Sequence, residues 1–425
     1  MIDTIFALSS GAPPAAIAVI RVSGPQAGSA LTALSARDLP SRRPVLAKLS
    51  DLSGQLLDEA LVLWLPGPNT ATGEDLAELH CHGGRAVVAA VESALEDMVG
   101  LRRAQPGEFT RRAFANGRID LAEAEGLADL LSAETELQRS AAVAMAGGGF
   151  SAQVEEWRSA VLRFSAEVEA ALDFSDEDDV SAMRADFAAD LRGLSDNLDE
   201  WLSRPRAERL GEGYRVVLAG PPNAGKSTLF NALLESEAAI TSPTAGTTRD
   251  VIERSFAMEG VPFTLVDTAG LRGTADDSVE AEGIARAEAQ LTRADLVLWL
   301  GEETCGPDGA WEVQAQADKP ELVDKTHPKA AVSAKTGEGM DALKSALVEH
   351  ARGALPKPGE AALNARQHAL VDAAQGAVSG AAALSDPLLI AEELRNARVA
   401  FDRLIGRATT EDMLDALFGR FCIGK

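Results

Sequence analysis

Large rings are scarce in this 425-residue chain: aromatics make up 4% of it, with a single tyrosine. Alanine-rich runs with so few rings favour helices over a β-sandwich core. Cysteine is nearly absent. Cys81, Cys305 and Cys422 lie far apart and form no CxxC or Cys/His ligand spacing, which excludes a disulfide framework and a zinc site and fits a reducing cytoplasm. No stretch reaches the roughly 18 apolar residues that a membrane-spanning helix needs. The opening MIDTIFALSS lacks the basic region and apolar core of a signal peptide. These absences read as a soluble, intracellular protein. Positive charge is also short, with 40 basic against 65 acidic residues and a net charge of −25. A surface that grips phosphate backbones unaided is therefore excluded, and any nucleic-acid contact is expected to be local or shared with a more basic partner.

What is present divides the chain. Apolar residues reach 46%, enough for several cores, and the length predicts two to four domains. Residues 1–118 alternate strand-like runs (IAVIRVSG, ALVLWLPG, LAELHCHGG) with turns, and RAVVAAVESALEDM has helical spacing with Val88, Val91 and Leu95 on one face. This predicts a small α+β domain. Residues 119–210 read as helical, with the acidic run 176–179 as a solvated turn. At Tyr214 the pattern switches to strand–helix alternation, starting from the buried strand YRVVLAG. Residues 211–354 thus form an α/β domain inserted into a helical one that resumes over 355–425 after LPKPGE. The expected fold class is multidomain, α/β and α.

The inserted region carries the chemistry. GPPNAGKS (220–227) fits GxxxxGK[ST] between a strand and a helix. Backbone N–H groups of such a loop cradle phosphates, Lys226 reaches the terminal phosphates, and the Ser227 hydroxyl binds Mg²⁺. Three further elements follow in the order GTPases require. TAGTTRD (244–250) offers Thr248 as a second Mg²⁺ ligand. DTAG (267–270) places Asp267 near the metal's water and the Gly270 amide near the γ-phosphate. VSAKTG (332–337) suits a loop packed against guanine. The expected GTP-contacting set is Asn223, Ala224, Gly225, Lys226, Ser227, Thr228, Ser242, Thr244, Gly246, Thr247, Thr248, Asp267, Thr268, Ala269, Gly270, Asp318, Ser333, Ala334 and Lys335.

Two parts of that pattern deviate. Where a regular guanine motif has Asn-Lys-x-Asp, this chain has Ala315-Gln316-Ala317-Asp318. Asp318 keeps the bonds that separate guanine from adenine, so GTP specificity should survive with weaker affinity. The preceding connection GEETCGPDGAW (301–311), between strands expected over 294–300 and 312–318, is too short and too rich in Gly and Pro for a crossover helix, which is expected to be trimmed or absent. Cys305 within it is read as incidental. The second deviation is Leu271, where Ras-like enzymes carry the glutamine that orients water. Glu280 could take that role, or could simply be a first-turn glutamate favoured by the helix dipole. Arg249 could act as an arginine finger or sit in an exposed salt bridge.

Across nearly the whole chain the sequence resembles the MnmE (TrmE) family of tRNA-modification GTPases. The residues that carry the resemblance are DTIFALSSG, ELHCHGG, RRAQPGEFTRRAFANGRIDLAEAE, GPPNAGKSTLFNALL, PTAGTTRD, DTAGLR and the closing FCIGK. The resemblance implies an N-terminal folate-binding domain, a helical domain built from both sides of an inserted G domain, and a homodimer. It implies work with the flavoprotein MnmG on C5 of the wobble uridine of certain tRNAs, with a reduced folate tied to the one-carbon unit. Folate contacts would fall on Arg21, Glu78, Arg118 and Lys425. A K⁺ ion held by Asn223, Ser242, Thr244 and Thr247 when two G domains meet would supply the missing positive charge, and Glu280 would orient the water, with Lys226 on the phosphates.

The tail Cys422-Ile423-Gly424-Lys425 could pass for a prenylation signal, but the Gly and Lys positions and the absence of a polybasic stretch argue against an anchor. Beside a folate pocket it reads as part of a site, with Cys422 either a reactive thiol or an inert one. Two other function classes stand beside the enzyme. One is a nucleotide-switched assembly factor of the ribosome-associated kind. The other is a folate-binding scaffold with a decayed GTPase.

Overall fold

The computed structural model describes residues 3–173, 184–235, 238–239, 252–268, 288–319 and 325–424. The acidic run 176–179 lies outside them. Contacts divide the chain into two compact units: Met1–Ala128 with Ser151–Arg158 and Phe401–Lys425, and Asp129–Phe150 with Ser159–Ala400.

The first unit is built on a six-stranded sheet. Its strands are β1 (Thr4–Leu8), β2 (Ile17–Ser23), β3 (Val45–Ser50), β4 (Leu56–Leu65), β5 (Leu76–His82) and β6 (Leu101–Arg103), in the order β3-β4-β5-β2-β1-β6. All pairs are antiparallel except β1 with β6. Alternation of apolar residues turns Phe6, Ile20, Val22 and Leu79 toward the helices Ala27–Ser35 and Arg85–Glu96, which supply Leu31, Leu34, Val91 and Leu95 to the same core. Each such side chain contributes roughly 1.5–3 kcal/mol on burial. The α+β expectation holds here, including the helix face of Val88, Val91 and Leu95.

Two features knit distant chain segments into this unit. Arg112 is fully buried. Its guanidinium donates to Asp3 O and Glu74 Oε2 at 3.0 Å, to Asp3 Oδ1 at 3.0 Å and to Glu108 Oε1 at 3.1 Å. The second feature is the C-terminal helix Glu411–Phe418, whose Leu414, Leu417 and Phe418 share a core with Leu121 and Ala124. Gly107 lies under it at φ +69°, and a Cβ there would come within 2.1 Å of Phe418 O, so only glycine fits.

In the second unit the helices Phe187–Leu202 and Ala365–Ala383 pack against each other, and Gln375 Nε2 donates to Ser195 Oγ at 3.2 Å between them. Asn364 caps the latter helix in a capping box with Gln367. The same unit holds a seven-stranded sheet. Its strands are β7 (Tyr214–Ala219), β8 (Ala238–Ala239), β9 (Ile252–Met258), β10 (Val261–Asp267), β11 (Leu296–Trp299), β12 (Trp311–Gln314) and β13 (Ala330–Ala331), in the order β13-β12-β11-β7-β10-β9-β8. The five strands β13, β12, β11, β7 and β10 run parallel, while β9 and β8 add antiparallel strands at one edge. Val216, Leu218, Leu265, Leu298 and Val313 form its spine, against Leu229, Phe230 and Leu347.

The expected loss of the crossover helix between β11 and β12 is what the fold contains: residues 300–310 form turns and bends only. Trp299 folds over this connection instead. A Cβ at Gly301 or Gly306 would sit 2.6 or 2.7 Å from its indole, so both glycines are required by that close approach. The indole Nε1 donates to Glu302 O at 2.8 Å. One expectation is corrected. The strand read over 312–318 ends at Gln314, because Gln316 takes φ +57° and a left-handed residue cannot continue a ladder.

Candidate nucleotide and tail sites

Parallel strands gather chemistry at their C-terminal ends, where no side chain of the sheet closes the edge. β7 ends at Ala219 and the chain turns through Gly220 at φ +146°, Asn223 at φ +62° and Gly225 at φ +94° into the helix Lys226–Glu235. Lys226 is buried, and its ammonium donates to Gly220 O at 2.9 Å and Pro221 O at 2.7 Å, which holds the cation inside the loop. From the neighbouring end of β10, Asp267 accepts the Ser227 hydroxyl at 2.7 Å on Oδ2, and Thr268 Oγ1 donates to Leu218 O at 2.8 Å. A hydroxyl and a carboxylate so close form a hard-oxygen pair suited to Mg²⁺.

The base end is built from β12 and the turn after β13. Ser333, fully buried, donates from Oγ to Asp318 Oδ1 at 2.8 Å. That hydrogen bond, helped by the charges of Lys335 and Lys319, holds the Asp318 carboxyl below the usual range and keeps it ionised. A cavity of about 180 Å³ opens here, lined by Gly225, Thr228, Leu229, Ala315, Gln316, Asp318, Lys319, Val332, Ala334 and Lys335. The structure thus brings together the expected Asn223, Ala224, Gly225, Lys226, Ser227, Thr228, Asp267, Thr268, Asp318, Ser333, Ala334 and Lys335. Ser242, Thr244, Gly246, Thr247, Thr248, Arg249, Ala269, Gly270, Leu271 and Glu280 lie outside the described residues. Lys319 is a lining residue that motif reasoning missed, and its only signal was a basic residue next to Asp318.

In the first unit, Arg21 on β2 faces Glu78 on β5 in register, and its Nε donates to Oε1 at 2.9 Å. His80 Nε2 lies 3.2 Å from Glu78 Oε2. Burial pushes the Glu78 carboxyl up, but the His80 hydrogen bond and the Arg21 charge outweigh it, so the group sits below its usual range. The stem of Arg118 lies against the Gly73 turn. Lys425 lies outside the described residues, but the tail leads toward this sheet. Ile423 forms a bridge with Pro106, and Gly424, at φ +91°, abuts the backbone of Leu8. Leu8 pairs with Ile20, next to Arg21. Cys422 is exposed, whereas Cys81 is buried, its thiol pushed up to about 12 by burial and then by Asp58.

Among the described residues no helix is long and apolar enough to cross a membrane. The family model described as the GTP-binding protein TrmE N-terminus matches residues 4–118, and that of the MnmE helical domain matches 121–422. A tRNA modification GTPase MnmE of Erythrobacter litoralis is 64% identical over 423 residues, with all of both chains covered. Proteins of the same description from Novosphingobium aromaticivorans and Rhizorhabdus wittichii are 63% and 57% identical, covering all of this chain and 100% and 97% of theirs. Two family models that together span 4–422 and full-length identity of this order lead to one conclusion: the chain belongs to the MnmE family of tRNA modification GTPases.

Proposed function

We propose that this protein hydrolyses GTP to GDP and phosphate as part of building an aminomethyl-type substituent on C5 of the tRNA wobble uridine. It acts in the cytoplasm as a homodimer together with MnmG, itself a flavoprotein. The observation that carries the GTP reading is the juxtaposition of Lys226, Ser227 and Asp267 at one end of the cleft with the Ser333-held Asp318 at the other. Ser227 and Thr248 would hold Mg²⁺, which neutralises phosphate charge in phosphoryl transfer. Asn223, Ser242, Thr244 and Thr247 would hold K⁺. Arg21, Glu78, Arg118 and Lys425 would hold a reduced folate, the Arg21 guanidinium and the ionised Glu78 offering one donor and one acceptor group side by side. Cys422, exposed next to the tail bridge, is available to that site. The proposed division is 1–118 for folate, 119–210 with 355–425 as the helical domain, and 211–354 for GTP.

Asp318 sets the first expectation. Guanine can donate to this ionised carboxylate and adenine cannot, so GTP should bind about 10–100-fold more tightly than ATP. Calorimetry with both nucleotides measures this, and equal affinities would remove Asp318 from its role. The cellular activity is tested by mass analysis of wobble uridines in tRNA from a strain lacking the protein; an unaltered substituent would overturn the modification reading.

Gly424 sets the second. A Cβ there would lie 2.1 Å from Leu8 O, a backbone atom that no rotamer change can move aside. Gly424→Ala should displace the tail and weaken binding of a formylated reduced folate about tenfold or more, which is ~1.4 kcal/mol. GTP affinity should stay at the parent value. Parent folate affinity in the variant would exclude the tail from the folate site.

A further inference from the structure

The base-reading loop contains a bond that its motif gives no reason to expect. Gln316 stands where a regular guanine motif has lysine, and Ala315 where it has asparagine. Gln316 Nε2 nevertheless donates to the backbone carbonyl of Asn223 in the phosphate loop at 3.1 Å, across 93 residues of sequence. Its Oε1 accepts from Lys319 Nζ at 2.6 Å. The side chain lies close over Gly225, where a Cβ would meet Gln316 Nε2 at 2.9 Å. Both bonded partners hold left-handed backbones, φ +57° for Gln316 and +62° for Asn223. Such conformations are sterically costly for L side chains and persist where surrounding contacts over-determine them.

We propose that Gln316, backed by Lys319, is a positioning and specificity-determining residue of the nucleotide site: it ties the guanine-reading loop to the phosphate loop at Asn223. The inference rests on the GTP reading above. The neutral amide alone would fix geometry without the cation that the regular lysine brings. Lys319 returns that charge from three residues further on, and its ammonium on Oε1 polarises the amide and strengthens the opposite N–H toward Asn223. Asp318 lies between Gln316 and Lys319 in the chain, so the clamp braces the loop that carries the base-reading carboxylate. Gly225 has to be glycine for the clamp to close, which couples the phosphate-loop pattern to this unusual base motif.

The test is calorimetric titration of the full-length protein with GDP and ADP, for the parent and three variants. Q316E keeps the length and the pairing with Lys319 but sets an acceptor against the Asn223 carbonyl, so GDP affinity should fall about tenfold. Q316K restores a donor and should return GDP affinity to within about threefold of the parent, which a merely structural role would not predict. K319A should lose about threefold, since the amide bond persists without its polarising charge. Parent-like GDP binding by Q316E would overturn the inference, as would equal losses in Q316E and Q316K. In either case a parent that still prefers GDP over ADP leaves the nucleotide reading standing. A parent that binds the two equally would overturn that reading and this inference together.

Discussion

Arg112→Leu is expected to destabilise the N-terminal sheet unit by about 3–5 kcal/mol, the range for removing one partner of a buried ion pair. The arginine is wholly shielded from water and bonds Asp3, Glu74 and Glu108. Arg102 also bonds Asp3 and Glu108, so those two keep a partner in the variant. Among the described residues the Glu74 carboxylate keeps only the Ser23 hydroxyl, at 2.9 Å, for a charge that then lacks its cation. Pairing the change with Glu74→Gln should therefore recover part of the loss. Chemical unfolding of parent, single and double variants measures it, and a single-variant loss below about 1 kcal/mol, the level of an exposed pair, would contradict the buried-network account.

The same network gives a pH dependence. Burial pushes the Glu108 carboxyl up, but its bonds to Arg102, the Gln105 N–H and Arg112 more than offset this and hold it below its ordinary 4.5. A carboxyl with a folded pKa below its unfolded one contributes stability that is fully present above the unfolded value and lost as pH falls through the folded one. The parent unit should thus weaken on acidification below about pH 4.5, and Arg112→Leu should flatten that slope.

Glu280→Ala carries the largest expected effect on activity. Phosphoryl transfer to water needs positive charge near the β–γ bridge and a held nucleophile. Leu271 stands where the usual glutamine would be, so under the proposed function Glu280 would hold the water and K⁺ held by Asn223, Ser242, Thr244 and Thr247 would supply the charge. GTP turnover should then fall by roughly 10²–10⁴-fold, typical of losing a positioned acid–base group, with GTP affinity little changed. Exchange of K⁺ for Na⁺ should slow the intact enzyme strongly, and Asn223→Ala should erase the difference between the salts. Steady-state phosphate release checks all three. Parent turnover in Glu280→Ala, or identical rates in the two salts, would refute the assignment.

Much of the nucleotide site is legible in the sequence because its geometry is local. Gly220, Gly225 and Lys226 have their places set by one strand–loop–helix passage, and Asp267 ends the buried, mostly apolar strand VPFTLVD. The missing crossover helix is equally legible, since eleven residues of Gly- and Pro-rich chain cannot supply one. What the sequence conceals is long-range. Gln316 reads as a lost lysine until its amide is seen to reach Asn223, and the left-handed turn that makes this possible also cut short the strand expected through 318. Arg112 reads as one of several arginines in a motif, and only the three-dimensional convergence of Asp3, Glu74 and Glu108 sets it apart.

The position of Gly107 beneath Phe418, with Ile423 bridged to Pro106, bears on how the protein is made. Arg111 binds Glu411 across 300 residues of chain. During synthesis the first strands leave the ribosome at about 5–20 residues per second, long before their C-terminal cover exists. For tens of seconds the apolar patch around Leu121 and Ala124 waits without Leu414, Leu417 and Phe418. The core around Leu121 and Ala124 can therefore close only once residues 411–418 have emerged, and translation halted before residue 411 would leave it without that cover.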